Sequence, residues 1–283
     1  METTGNTPLI KVNGIKAKLE TVNPTGSIKD RIAVYLTKKA EEKGKLKKGT
    51  QIIEVTSGNT GISFAMVSAI KGYQFTAVMP ESMSLARRKI MKEFGAKLIL
   101  TPAREDIGGA IKKFEELKKN NPNAWYPMQF ENPDNITAHY KGTGKEILHQ
   151  TKGKIDAFVA GTGTGGTLIG VAKALKEKNP EVKIIAVEPD ESPVISRGKT
   201  GIHKIQGIGE GFIPKLLEEN LDLVDEIIKI KSNDAIKAKK MLAEKYGILV
   251  GISSGANYLA AKEINKKYKN VVTVFADRGE RYL

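Results

Sequence analysis

An α/β fold, a mainly parallel sheet covered by helices on both faces, is what this sequence predicts, and three observations predict it. Apolar, β-rich runs alternate with amphipathic Lys/Glu-rich stretches along the chain. At 283 residues and 40% hydrophobic, the chain can bury a large core, and its length points to two lobes. Two turn-rich stretches, N-N-P-N at 120–123 and E-N-P-D-N at 131–135, flank a short apolar segment and mark a break, with the second as the boundary.

The apolar runs place strands at 51–55, 75–79, 97–100, 157–160, 183–188, 226–230 and 271–275. Helical periodicity falls between them, at 63–70, 85–94, 110–120, 166–178, 232–245 and 256–268. A further helix is expected to open after N-P-T-G-S at 23–27, with Ser27 as its cap and Lys29 in its first turn. No internal repeat and no low-complexity segment stands out.

Composition removes several classes of chemistry. There is no cysteine, so disulfides, thiolate metal sites and a cysteine nucleophile are out. The three histidines, His139, His149 and His203, lack metal-ligand spacing, and no metal is expected. No run of eighteen apolar residues and no signal-like N-terminus is present, so the expectation is a cytoplasmic protein without membrane contact. The net charge of +14 raises nucleic-acid binding, but the basic residues are scattered in short groups beside glutamates, as solvated helix faces are. No nucleic-acid partner is expected.

Four segments carry chemistry. In N-P-T-G-S-I-K-D-R at 23–31, a lysine in a helix's first turn runs against the macrodipole, which favours an uncharged or condensed amine; an exposed surface lysine is equally compatible. E-V-T-S-G-N-T-G at 54–61 joins a strand to a helix through small, polar residues and suits a carboxylate or phosphate, or is simply a well-capped loop. A-G-T-G-T-G-G-T at 160–167 follows a strand and opens a helix, a phosphate-loop candidate with hydroxyl donors at Thr164 and Thr167. Gly161, Gly163 and Gly166 also satisfy G-x-G-x-x-G, with Glu188 ending the next strand, so a nicotinamide-dependent oxidoreductase competes. In V-G-I-S-S-G-A at 250–256, the nearest histidine in sequence is distant, so a serine is better used as a hydrogen-bond partner than as a nucleophile.

Taken together and in this order, the four segments resemble the cysteine synthase (O-acetylserine sulfhydrylase) family, fold type II pyridoxal-phosphate enzymes related to cystathionine β-synthase. G-N-T-P-L-I at 5–10, R-R-K-I-M-K-E-F-G-A at 87–96, Q-F-E-N-P at 129–133, H-K-I-Q-G-I-G at 203–209 and D-R-G-E-R-Y-L at 277–283 extend the likeness over essentially the whole chain. Met128, Ala86 and Glu210 depart from the commonest pattern, and together with N-P-D-N-I-T-A-H-Y at 132–140 and D-R-G-E-R-Y-L they lean towards the cysteine synthase B branch. The resemblance implies two lobes, a smaller mobile one at 35–134 and a larger cofactor-phosphate-binding one from 1–34 and 135–283. It implies pyridoxal 5'-phosphate, with Lys29 as the catalytic residue and Schiff-base partner and Asn59 on the ring oxygen. Gly163, Thr164, Gly165, Gly166 and Thr167 would then bind the phosphate, and Ser253, or its neighbour Ser254, would face the pyridine nitrogen. Thr56, Ser57, Gly58, Thr60, Gln129 and Gly207 are implied to bind the substrate.

The implied activity is synthesis of L-cysteine from O-acetyl-L-serine and sulfide, or another sulfur donor, through an α-aminoacrylate. A serine opposite the pyridine nitrogen leaves that nitrogen largely unprotonated, which disfavours a long-lived carbanion and favours loss of a β-leaving group. Lys29 would take the α-proton and return it. O-Phosphoserine or serine as acceptor, cystathionine β-synthase activity, and cysteine β-elimination releasing hydrogen sulfide share this chemistry. The family also implies a homodimer and names serine acetyltransferase as a candidate partner.

Overall fold

The computed structural model describes residues 1–56 and 58–283. The chain forms two compact units, Met1–Glu2 with Lys29–Gln129, and Thr3–Ile28 with Phe130–Leu283. In chain order the elements begin with β1 (Leu9–Val12), β2 (Ile15–Leu19), α1 (Lys29–Glu42), β3 (Gln51–Val55), α2 (Asn59–Lys71), β4 (Gln74–Pro80), α3 (Leu85–Glu93), β5 (Lys97–Thr101) and α4 (Asp106–Asn120). There follow α5 (Asp134–His139), a π-helical turn over Tyr140–Gly144, α6 (Lys145–Thr151), β6 (Ala157–Gly161), α7 (Gly166–Lys178) and β7 (Lys183–Pro189). The chain ends with α8 (Val194–Arg197), α9 (Lys215–Glu218), β8 (Glu226–Ile230), α10 (Ser232–Tyr246), α11 (Ile252–Ile264) and β9 (Val271–Phe275). Among the described residues, no helix is long and apolar enough to cross a membrane.

The unit containing the chain's C-terminus is built on a six-stranded sheet of order β1-β2-β9-β6-β7-β8, parallel throughout except for the β1–β2 hairpin. Its central strands are buried on both faces. Ala157, Val159, Ile185, Val187 and Val271 join a core with residues of α10 and α11, while Phe158, Ala160, Ile184, Ala186, Val272 and Val274 join a second core with α7. Successive residues of a strand point to opposite faces, so continuous apolar runs are the sequence of a sheet covered on both sides. This is the expected α/β class with mainly parallel pairing.

The other unit holds a parallel sheet of order β3-β4-β5. Ile53, Val55 and Val78 pack with Ala110 and Phe114 of α4. Residues 60–68 of α2 are buried without interruption, the mark of a helix enclosed on all sides, and Phe64 meets the rings of Phe75 and Trp125. Trp125 also covers the outer edge of β3: its N–H donates to the Gln51 carbonyl at 2.8 Å, and its carbonyl accepts from Ile53 at 3.0 Å.

All seven expected strands form, three of them with the expected ends. The β1–β2 hairpin was not among the expectations, although Asn13-Gly14 marks it; both residues have positive φ (48° and 86°), as a two-residue I′ turn requires. Its strands carry lysines at alternate positions, and Lys18 is fully buried through ion pairing rather than apolarity. The helix expected at 256–268 runs instead over Ile252–Ile264, because Gly251 supplies the flanking extended residue and the paired serines lie inside the first turn. The helix expected from Ser63 begins at Asn59, and that expected from Ala110 begins at Asp106. The helical run from Asp134 to Thr151 falls where only a boundary was foreseen.

A cluster at the ends of α1 and α2 gives the three-stranded unit a pH-dependent contact. Glu41 accepts from Lys71 at 2.7 Å and from the Tyr73 hydroxyl at 2.8 Å. Burial pushes the Glu41 carboxyl up, but the hydrogen bonds from Lys71 and Tyr73 outweigh it and hold the group below its ordinary value. Burial, then the bond to Glu41 and its charge, push the Tyr73 phenol from 10.0 up to about 12. A raised phenol contributes stability that is present below its ordinary value and lost as pH rises through about 12. Alkaline titration of phenolate absorbance is expected to show a step near 12 that Tyr73→Phe removes and Glu41→Gln moves down; a step unmoved in Glu41→Gln would contradict the pairing.

Candidate active site

In the three-stranded unit, β3 ends at Val55 and α2 begins at Asn59, so the T-S-G segment lies at the helix's N-terminal end, where N–H groups lack intrahelical carbonyls. Ser57 lies outside the described residues. Thr56 is buried, and its Oγ1 accepts from the N–H groups of Gly58 at 3.2 Å and Gly61 at 3.0 Å, which leaves its hydroxyl hydrogen to donate. At Gly58 a Cβ would stand 2.7 Å from Arg87 Cδ, so a side chain there would have to displace the buried arginine. Thr60 Oγ1 donates to Gln129 Oε1 at 2.7 Å, and Gln129 Nε2 donates to the Val55 carbonyl at 3.1 Å. The structure therefore gathers Thr56, Gly58, Thr60 and Gln129 around one strand-to-helix loop.

Lys29 is the first residue of α1 and is half-buried, and Asn59 is the first residue of α2. The two helix starts are tied together by Ser63, whose Oγ lies 2.5 Å from Asp30 Oδ1 and 3.0 Å from the Asn59 carbonyl. Met128, before Gln129, holds φ +55°, a left-handed conformation that costs a long side chain on the order of 1–2 kcal/mol. Its packing against the β3–α4 core helps to hold it there.

In the six-stranded unit, the turn that leads to Lys29 is clamped by the chain's last residues. The Ile28 N–H donates to the Ala276 carbonyl at 2.8 Å, and the Arg278 N–H donates to the Gly26 carbonyl at 3.0 Å. The Arg278 side chain donates to the Thr21 carbonyl at 2.8 Å, and Arg281 donates to the Thr25 carbonyl. Ser27 forms a β-bridge with Asp277, and the helix opens at Lys29, so Ile28 rather than Ser27 occupies its flanking position. On the far side of the turn, Asn23 Nδ2 donates to Glu20 Oε2 at 2.6 Å and Asn23 Oδ1 accepts from Gly5 at 2.9 Å. Thr7 Oγ1 donates to Glu20 Oε1 at 2.8 Å, and the buried Lys18 ammonium reaches the Thr7 carbonyl and Glu146. The motifs at 5–10 and 277–283, noted only as matches, thus brace the turn; their separation in sequence hid that role.

The 160–167 segment leaves β6 and enters α7 as expected. Gly165 has φ +83°, which only glycine adopts cheaply, and a Cβ on Gly163 would stand 2.5 Å from the Gly207 carbonyl. Thr164 Oγ1 accepts from Gly166 N at 3.3 Å and Asn135 Nδ2 at 3.1 Å, so its own hydrogen is left for an acceptor. Thr167 Oγ1 is 3.2 Å from His139 Nε2, and His139 Nδ1 is 2.9 Å from Thr143 Oγ1. With the proton on Nε2, Thr167 accepts from His139 and keeps its hydrogen as well. Gly207 therefore packs on the loop, and Asn135 and His139, which motif reading did not single out, orient its two threonines.

Ser254 Oγ accepts from the Ala276 N–H at 3.0 Å, whereas the Ser253 hydroxyl has no protein partner among the described residues. Glu188, the acid that a dinucleotide reading needs, is buried and accepts from the N–H groups of Ile195 at 2.8 Å and Ser196 at 3.2 Å. It is consumed in capping α8 and is not presented to a ribose.

A loop of glycines closed against backbone, the Thr164 hydroxyl with its hydrogen to give, Thr167 likewise when His139 carries its proton on Nε2, and the N–H groups of a helix start form a donor set for a compact phosphate. The donor set of this loop fits the phosphate of pyridoxal phosphate, and a half-buried lysine and an asparagine, each at a helix start of the other unit, are residue types that fit an aromatic aldehyde with a ring oxygen. The chain belongs to the pyridoxal-phosphate dependent enzyme family, whose model matches residues 1–277. Within that class it is similar to a cysteine synthase of Staphylococcus aureus, 50% identical over 292 aligned positions that span 99% of this chain and 93% of that one. Its fold superposes on cysteine synthase (OASS) from Entamoeba histolytica with a TM-score of 0.94 at 43% identity, covering 99% of this chain and 87% of that one. A hydrogen sulfide-producing enzyme from Fusobacterium nucleatum matches with a TM-score of 0.95 at 43% identity, covering 100% and 98%.

Gly26 tests the clamp before Lys29. It has φ +81°, and a Cβ there would stand 2.7 Å from Arg278 Cδ. Gly26→Ala is expected to cost about 1–2 kcal/mol for the left-handed backbone alone, with more from the displaced arginine. Denaturant unfolding reads this, and an unchanged midpoint would show that the arginine does not hold the turn.

Proposed function

We propose that this chain makes L-cysteine from O-acetyl-L-serine and sulfide by β-replacement. The observation that carries the reading is the braced loop after β3, where Gly58, Gly61, Thr60 and Gln129 hold the backbone and side chains in place at a helix start and Thr56 keeps a hydroxyl hydrogen for an α-carboxylate. Similarity to cysteine synthases supports the choice of substrates.

Lys29 anchors the cofactor's aldehyde, and Asn59 donates to its ring oxygen. Gly163 to Thr167 hold its phosphate. Ser253 faces the pyridine nitrogen, a choice supported by the commitment of Ser254 to Ala276. When bound, pyridoxal phosphate supplies the electron sink that makes the substrate's α-proton acidic and lets the β-substituent leave. Thr56, Thr60 and Gly58, with Ser57, fix the substrate carboxylate, and Gly207 is assigned to the substrate as well. This fixes the Cα–H bond in direction, so Lys29 Nζ, once displaced by the substrate amine, can remove the α-proton and later return it. Homodimeric assembly and a cytoplasmic location belong to the same proposal, on the strength of the family likeness.

A second reading, release of sulfide from cysteine by the same residues, is favoured by similarity to the hydrogen sulfide-producing enzyme. Supplying O-acetylserine with sulfide, and cysteine alone, in parallel separates the two; whichever turns over with the higher kcat/KM names the forward activity, and turnover of neither sinks both. Borohydride reduction of the holoenzyme is expected to leave a cofactor adduct on Lys29, and Lys29→Ala to lower turnover by about a hundredfold or more. Full turnover in Lys29→Ala would remove the assigned role. Gly163→Ala is expected to weaken cofactor retention on dialysis, because its Cβ meets the Gly207 carbonyl.

A further inference from the structure

We infer that Glu54 is a positioning residue for the substrate-carboxylate loop, acting through Gln129. The inference rests on the proposed role of that loop and adds to it a residue that no motif assigned.

The argument begins at the edge of β3. Trp125 pairs with Gln51 and Ile53 as a parallel strand would. A regular ladder would continue to Val55 with another backbone donor. Instead the chain turns through left-handed backbone at Met128, and the Gln129 side chain takes that place, its Nε2 donating to the Val55 carbonyl at 3.1 Å. The Gln129 backbone N–H no longer faces the ladder. It donates to Glu54 Oε2 at 3.2 Å, while Glu54 Oε1 accepts from the Val55 N–H at 3.0 Å.

Glu54 is 1% exposed and Gln129 4% exposed. A buried carboxylate accepting from two backbone N–H groups fixes both in direction, since charge-assisted bonds in a dry setting are the strong ones. With the backbone held on one side and the amide nitrogen on the other, Gln129 Oε1 has one place to be, and Thr60 Oγ1 donates to it at 2.7 Å. The chain of contact runs from Glu54 to Gln129 to Thr60. Its carboxylate thus stabilises the exceptional backbone at Met128, and that backbone aims the side chain that sets the loop.

The test is Glu54→Gln in the holoenzyme, which keeps the shape and replaces one acceptor oxygen by an N–H donor facing an N–H. The expected result is a KM for O-acetylserine raised about tenfold with kcat changed far less, because the loss falls on binding of the carboxylate. In a Gln129→Ala background the same substitution is expected to add nothing to KM; additive effects would overturn the inference, since the two residues would then act independently. Unchanged KM in Glu54→Gln, with KM raised in Thr56→Ala and Gln129→Ala, overturns this inference and leaves the loop's role standing. Unchanged KM in all three overturns both. If Glu54→Gln does not fold, amide exchange in the wild-type holoenzyme decides: the Gln129 N–H is expected to be protected like a core strand, and exchange at the rate of an exposed loop overturns the inference.

Discussion

An α-helix begins with N–H groups that have no carbonyl to meet, and this protein places two such beginnings at the carboxyl ends of parallel strands, β3 into α2 and β6 into α7. Within each unit, much of the local architecture follows from having to hold that helix start in place. The central strands of the six-stranded sheet are buried on both faces, which fixes them against the helices that cover them. The connection from β6 to α7 is short, so the residues between that strand and helix have little conformational choice. Glycine stands where backbone or a buried arginine approaches most closely, as at Gly163 against Gly207 and at Gly58 against Arg87.

Short loops alone would not aim side chains, and a shell of buried polar residues does that work. Thr164 is oriented by Asn135, Thr167 by His139, and Thr60 by Gln129. In each pair the supporting residue comes from a separate part of the chain and is itself held by a further contact. The same logic governs the turn before Lys29, pressed from one side by the C-terminal residues and from the other by the network of Glu20, Asn23, Thr7 and Lys18. Removing a single partner from such a buried network leaves an uncompensated polar group, so each position is more constrained than its exposure suggests.

Much of this was legible in the chain itself, for identifiable reasons. Strands such as 271–275 read as continuous apolar runs because both of their faces are covered, and helix 166–178 read from its glycine-rich entry and amphipathic repeat. The β1–β2 hairpin escaped because Lys16 and Lys18 interrupt its apolar pattern, and Lys18 is buried only by virtue of Glu146, far along the sequence. The helix over Ile252–Ile264 was displaced because Ser253 and Ser254 look like loop residues, yet a helix's first turn accommodates serines well.

The sequence by itself determined the α/β class, the order of the strands and helices between which the glycine- and threonine-rich loops lie, and the family to which those loops belong. These are local properties: period, turn chemistry and motif spacing are written in neighbouring residues. Only the tertiary structure decided which serine is committed to backbone, that Glu188 caps a helix instead of awaiting a ribose, and that residues 277–283 clamp the turn before Lys29. It also decided that Gln129 replaces a strand's N–H beside Val55 and rests on Glu54. Each of these is a hydrogen bond between segments distant in sequence, or a choice between adjacent residues of the same type, and neither leaves a trace in local pattern.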